Sequence, residues 1–445
     1  MTEKLERGVV ATIFLWACLP VLAEPPVPSP GADHLTVFME DGGWCWFQDP
    51  RAIIHDGKLI IGGISSSGDV VVGVYDLKKE TPLGRAVLHE AFQKDDHDCP
   101  VFHVRRDGRV LAVYALHGNN RIHYSRISEP GSLLSWEEER RFEHDYPDSG
   151  TVTYMNLYEL RDEGKLYNFF RGIENNPSFI TSSDGGQTWG EPTHLIEDEL
   201  PGRQRPYARY TSNGRDTIYI SFTDAHPRQY GNSIYFAAFR NGRFFRADGT
   251  LIKDLRKDGP LKPSEAERVF QGGGGSGHGF SRSADRSAWT SSIAVDKEGH
   301  PHIAYSLYLS NDDHRYRIAS WNGMQWIDRE VAYGGKCLYD RESSYTGLIS
   351  LDPSDPSTVV ISTDVDPATG NELGGCHEIY RASVRLADDV HSIRWTPLTA
   401  DSNVRNIRPM IVVGNGSRVI LWLRGDFTTY TDYRLDVVGV IERIE

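Results

Sequence analysis

The chain has no positive charge to spare. Lys and Arg number 48 against 62 Asp and Glu, a formal net charge of −14. That excludes the broad basic surface that nucleic acid requires, although Arg and His that converge locally can still hold a polyanion. Helical periodicity is missing, because no long stretch repeats apolar residues three and four apart. Sulfur is sparse, with five Cys and five Met in 445 residues, and a fold of this size needs no disulfide scaffold. The one long apolar run, residues 9–17, is too short to span a bilayer. Lys4 and Arg7 precede it and Val21-Leu22-Ala23 follows it. Residues 1–23 therefore read as a secretory signal, and 24–33 as a Pro-rich leader. This reading makes the mature protein secreted or periplasmic, with no stable membrane insertion. Leu15-Trp16-Ala17-Cys18 is a poor lipoprotein site.

Glycine and aromatics are plentiful: 43 Gly, 21 Tyr and 10 Trp. Short segments rich in β-branched and aromatic residues recur at 58–64, 70–75, 110–114, 217–222, 302–306, 359–363 and 419–423. Turns such as Asp56-Gly57, Asp107-Gly108 and Asn322-Gly323 punctuate them. The spacing is roughly 45–60 residues, the range of propeller blades. Seven such units fit in residues 34–445, which predicts an all-β chain folded as a single seven-bladed β-propeller, with no further domain. Residues 35–38 are expected to close the ring beside the last blade, since an open propeller leaves two exposed edges. Residues 256–290 break the rhythm, and the run from Gly272 to Phe280 reads as a loop over one face.

Ser182-Ser183-Asp184-Gly185-Gly186-Gln187-Thr188-Trp189 has the form S-x-D-x-G-x-T-W, the Asp-box of propeller glycan enzymes. Asp184 and the paired glycines favour a tight turn, and Trp189 packs beneath it. The motif marks an architecture, not a reaction.

Chemistry-bearing residues cluster just upstream. Asp95-Asp96-His97-Asp98-Cys99-Pro100 precedes Leu116-His117-Gly118 by one hairpin, so both imidazoles reach the same end of one blade. Tyr154 opens the next blade, with Tyr158 as its rival, and Phe169-Phe170-Arg171-Gly172 follows after another hairpin. Matching places in adjacent propeller blades face the central channel. A second cluster holds Arg203, Arg205, Tyr207 and Arg209, with His226 and Arg228 downstream. The planar fork of arginine suits sulfate or carboxylate.

Together with 44–51 (Trp-Cys-Trp-Phe-Gln-Asp-Pro-Arg) and Tyr345-Thr-Gly-Leu, these segments resemble the BNR-4 repeat family. That family includes propeller polysaccharide lyases, chiefly the ulvan lyases of families 24 and 25; rhamnose–glucuronate lyases of family 27 have a similar site. The resemblance implies β-elimination at a 4-linked uronic acid in an acidic, ulvan-like polysaccharide. Arg171, helped by His97, would stabilise the enolate formed at C5. His117 and Tyr154 would share the roles of base and acid, in either order. Arg51, Arg205, Tyr207, Arg209, His226 and Arg228 would bind substrate. The resemblance also implies a structural zinc, for which His278, Cys337, Cys376 and His377 offer a Cys2His2 set. A Cys337–Cys376 disulfide or free thiols are the other readings, and Cys99 could pair with Cys45. No catalytic cofactor is expected, and a monomer is.

Two other functions share these features. A sialidase-like hydrolase would use arginines such as Arg51 and Arg408 against a carboxylate, but it also needs a tyrosine nucleophile and a carboxylate acid that the sequence does not offer as a set. A non-catalytic glycan-binding propeller would keep the arginines and aromatics and tolerate loss of the histidine pair.

Overall fold

The computed structural model describes residue 1 and residues 35–146, 149–200, 205–277 and 282–444. The expected signal and leader, Arg203 and His278 lie outside these residues. Seven antiparallel sheets follow one another along the chain. Blade 1 spans 52–89, blade 2 101–143, blade 3 153–194, blade 4 208–270, blade 5 288–335, blade 6 349–397 and blade 7 405–443. The first strands of successive blades touch in order, and that of blade 7 touches that of blade 1. This closed circuit is a seven-bladed β-propeller. Among the described residues no helix is long and apolar enough to cross a membrane.

The ring closes as expected. The strand Thr36–Met39 pairs with the last strand, Asp432–Arg443, with Thr36 opposite Gly439 and Val37 opposite Val438. Phe38 and Met39 are buried, each contributing about 1.5–3 kcal/mol of apolar burial. The closing strand is thus held by both a ladder and a core.

The break at 256–290 is an insertion in blade 4. Beyond its third strand, Ile234–Arg240, come two short strands, one helical turn (Leu255–Asp258) and Glu267–Phe270, which returns to pair with Ile234–Arg240. The glycine run that follows is bound down as far as residue 277. Gly274 N donates to Gly231 O and Gly277 N to Gln229 O. A Cβ on Gly277 would stand 1.9 Å from Arg228 O, so only glycine allows this approach. The run therefore supports the segment that carries His226 and Arg228.

The Asp-box forms the turn expected of it. Asp184 Oδ1 accepts from the backbone of Gln187 and Thr188 and from Ser182 Oγ. Gly185 and Gly186 have φ of 70° and 85°. Trp189 stands edge-on to His123 of blade 2, ring centroids 5.5 Å apart, so the turn ties blade 3 to blade 2.

Candidate active site

The site lies at the channel end where blade strands begin and second strands finish. Its base is the segment before blade 2. Asp95 caps a single helical turn, Asp96–Asp98, and accepts from His97 N at 3.0 Å. Its two carboxylate oxygens then serve two imidazoles: Oδ1 lies 2.6 Å from His97 Nδ1 and Oδ2 2.8 Å from His117 Nδ1. The rings stack at 4.1 Å, 16° from parallel. With both Nδ1 atoms engaged, both Nε2 atoms are left for other partners. His97 Nε2 meets the Tyr345 hydroxyl at 3.1 Å.

The imidazoles differ in exposure and in charge. The His97 side chain is 2 % exposed and that of His117 21 %. Burial disfavours charge on His97, but the Cys45 sulfur and the Asp95 and Asp96 carboxylates outweigh it and hold its pKa well above the ordinary value. Burial, then the neighbouring His97, lower His117 to about 4 in spite of Asp95. At neutral pH the pair is one imidazolium and one free base.

Tyr154 closes the next side. Its φ is 65°, and the ladder of blade 3 shifts register between Thr153 and Asn156. Bulges near active sites re-aim side chains in this way, at a cost of about 1–3 kcal/mol for the strained backbone. The Tyr154 ring lies 5.5 Å from His97 and 6.0 Å from His117. Burial, then the neighbouring Tyr207, raise its pKa well above 10 despite Arg171, so the phenol keeps its proton.

Arg171, the last residue of the second strand of blade 3, places its guanidinium over the Tyr154 ring at 4.8 Å. It donates to the Tyr207 hydroxyl at 3.3 Å. Arg171 is only 9 % exposed, and among the described residues no Asp or Glu pairs with it; the groups that offset its burial are Tyr154, Tyr207 and Tyr345. Tyr207 leads on to His226 at 5.4 Å, and His226 to Trp289 at 4.9 Å. Tyr430, from the last hairpin of blade 7, stands perpendicular to His97 at 4.9 Å.

Residues 60–333 match the BNR repeat-containing family. The chain belongs to that family. Among curated proteins none matches the sequence. Among solved structures, this BNR repeat propeller is similar to an ulvan lyase of polysaccharide lyase family 25, with TM-score 0.65 and 15 % identity over 90 % of this chain and 94 % of that one. The same likeness holds for that lyase bound to -[GlcA(1-4)Rha3S]-. The polysaccharide lyase Uly1 follows, with TM-score 0.57 and 10 % identity over 89 % and 90 % of the two chains. At such identity these likenesses show the fold.

The remaining expected residues of the BNR repeat propeller divide by position. His226 and Arg228 stand at the site's edge, where Arg228 Nη1 pairs with Glu342 Oε1. Burial, then the charges of Arg228 and Arg171, push the His226 pKa well down, and Arg205 adds to this, so Arg205 also faces that side. Arg51 and Arg209 lie elsewhere. Both pair with Asp49, and they donate to the backbone oxygens of Cys45 and Trp46. Asp49, Arg51 and Arg209 stand in the wall of a cavity of about 390 Å³ at the other mouth of the channel. Tyr158 lines the same cavity and bonds Tyr210 O at 2.8 Å, so it is not at the histidine end. Arg408 is tied to Asp96 and the Trp44 carbonyl.

All four described cysteines are free, so neither Cys337–Cys376 nor Cys45–Cys99 is bonded. The ligand atoms of Cys337, Cys376 and His377 do not all lie within 4.8 Å of one another. His377 Nε2 is nonetheless buried without a partner. Burial lowers the His377 pKa to about 4, leaving a neutral imidazole. The groups that do gather are Asp95–His97–His117 and Cys45–Asp96–His97, and the hydrogen bonds to Asp95 already use both Nδ1 atoms.

Sequence reasoning gave no role to Asp95, Glu342 or Tyr430. Asp95 stands two residues before His97, the spacing that lets one carboxylate cap the turn and hold the ring. Glu342 and Tyr430 carry no local signal, because their partners lie 114 and more than 300 residues away in sequence.

Proposed function

We propose that the protein is an exported polysaccharide lyase that cleaves a 4-linked uronic acid polymer by β-elimination. The observation that carries this is Arg171, a buried guanidinium without a carboxylate partner among the described residues, beside a neutral imidazole and a protonated phenol. A buried cation of this kind calls for an anion. The substrate carboxylate supplies one, and the enolate that forms on it strengthens the same pairing in the transition state.

His117 Nε2 takes the C5 proton. The electron pair of that bond forms the C4–C5 double bond, and the C4–O4 bond breaks. The Tyr154 hydroxyl gives its proton to O4, and proton transfer from His117 through water restores both groups. The charged His97, held under His117 by Asp95, adds positive field near the enolate. Arg205, Tyr207 and His226 are the nearest contacts for the neighbouring sugar. Arg51 and Arg209 face Asp49 and serve the channel wall. A structural zinc held by His278, Cys337, Cys376 and His377 would take no part in the elimination. Export rests on the charged, apolar and small-residue order of residues 1–23.

Ulvan and other uronate polymers should gain the ultraviolet absorbance of an unsaturated uronate on incubation with the protein. Arg171→Ala should cost about a hundredfold to a thousandfold in kcat, the range for loss of one oxyanion donor, with Tm held within a few degrees. New reducing ends without that absorbance would replace the reading with hydrolysis. Binding without either signal would make the propeller a lectin.

A further inference from the structure

Beyond Tyr207 and His226 the site ends in an ion pair. Arg228 Nη1 bonds Glu342 Oε1, and the other oxygen, Oε2, lies 3.8 Å from His226 Nε2. The Glu342 side chain is 7 % exposed and that of Arg228 25 %. Glu342 Oε2 is buried and has no hydrogen-bond partner. The carboxylate is held in place: it ends the helical turn Asp340–Glu342, and the next two residues, Ser343 and Ser344, bond Ser283 Oγ at 2.9 and 2.5 Å. Tyr345 then reaches His97, so Glu342 is three residues from a group in contact with the reacting centre.

We infer that Glu342 makes this subsite one for a sugar with free hydroxyls, and that it turns away a sugar carrying a sulfate ester there. The inference rests on the lyase reading of the same site. An arginine grips sulfate when its charge is uncancelled; here a carboxylate already faces Arg228. A sulfate brought to Arg228 would stand against Glu342 in a poorly solvated place, where like charges repel strongly. His226 brings no compensating charge, since its imidazole stays neutral. A sugar hydroxyl, by contrast, can donate to the carboxylate oxygen that has no partner, and accept from Arg228. Unmet acceptors of this sort discriminate well, because the wrong ligand leaves them unmet.

The test compares native ulvan, chemically desulfated ulvan and an unsulfated glucuronate polymer, following unsaturated product and, separately, the Kd of each by calorimetry. The desulfated polymer should be preferred to native ulvan by about tenfold in kcat/KM, roughly 1.4 kcal/mol. Glu342→Gln, isosteric and neutral, should shrink that ratio to near one by improving the sulfated substrate. A wild-type preference for native ulvan, or a ratio that Glu342→Gln leaves unchanged, overturns the inference. The wild-type ratio stands without the variant, should the variant misfold. Absence of unsaturated product from every polymer would sink the lyase reading alone; the Kd ratio would still decide for or against Glu342.

Discussion

A single carboxylate sets the states of two histidines. Asp95 uses one oxygen for His97 and the other for His117; it fixes neutral His117 as the Nδ1–H tautomer, with Nε2 left as the base, and holds charged His97 with its Nε2 on the Tyr345 hydroxyl. Asp95→Asn keeps the shape but leaves one acceptor and one NH2 group where two acceptors stood. One imidazole must then turn or change tautomer. We expect kcat to fall about a hundredfold or more, with KM little changed, by analogy with the orienting carboxylate of a catalytic triad. Asp95 also raises the pKa of both imidazoles. Its neutralisation should therefore move the histidine limbs of the kcat/KM profile to lower pH. A profile with unmoved limbs, or a loss confined to KM, would remove Asp95 from this role. The arginines teach the same lesson about residues: Arg51, Arg171, Arg209, Arg228 and Arg408 look alike in sequence. Four of them meet a carboxylate in the fold, and that partner decides which one keeps its charge for a substrate anion.

At the scale of elements, the two ends of blade 3 do different work. Its second and third strands pair Arg171 with Pro177 at one end and Leu166 with Ser182 at the other. Arg171 is therefore at the site end and the Asp-box at the far end. Gly186→Ala places a Cβ 2.3 Å from Leu111 Cδ2 of blade 2, at a φ of 85°. We expect a loss of about 1–3 kcal/mol, seen as a Tm lower by several degrees, with kcat on the uronate polymer unchanged. A lowered kcat at full folding would mean that the far end communicates with the site. This division also explains what was legible. Strand alternation, turn pairs and the Asp-box are local signals, and they carry blade number, closure and the placing of His97, His117, Tyr154 and Arg171 at one end. The bulge that turns Tyr154 inward, the return of Glu267–Phe270 to the third strand of blade 4 and the pairing of Arg209 with Asp49, 160 residues away, depend on contacts outside any short window of sequence. No local pattern reports them.

The whole molecule hides many histidines in their neutral form. His123 and His144 bond each other at 2.8 Å among Phe142, Phe170 and Trp189. Burial pushes His123 well down and His144 to about 3. Burial does the same to His226 and His314, and brings His117 and His377 to about 4. In the unfolded chain each would titrate near 6.5. Between about 6.5 and the folded values the unfolded state thus binds more protons, so stability is full above that pH and is lost as pH falls toward 4 and 3. His97 acts in the opposite sense: its raised pKa contributes stability below about 6.5 that is lost as pH rises through the folded value. Asp96, Asp98 and Glu342, raised chiefly by burial, also favour the acid side. The neutral histidines outnumber these groups and lie in several blades, so their effect should prevail. We expect Tm to fall steadily as pH drops from about 6.5 to 4. His144→Leu should flatten that slope, because it removes a titrating partner from an apolar setting between blades 2 and 3. A Tm that holds or rises over this range, or a slope that His144→Leu leaves as steep as before, would show that the carboxylates and His97 govern the acid response instead.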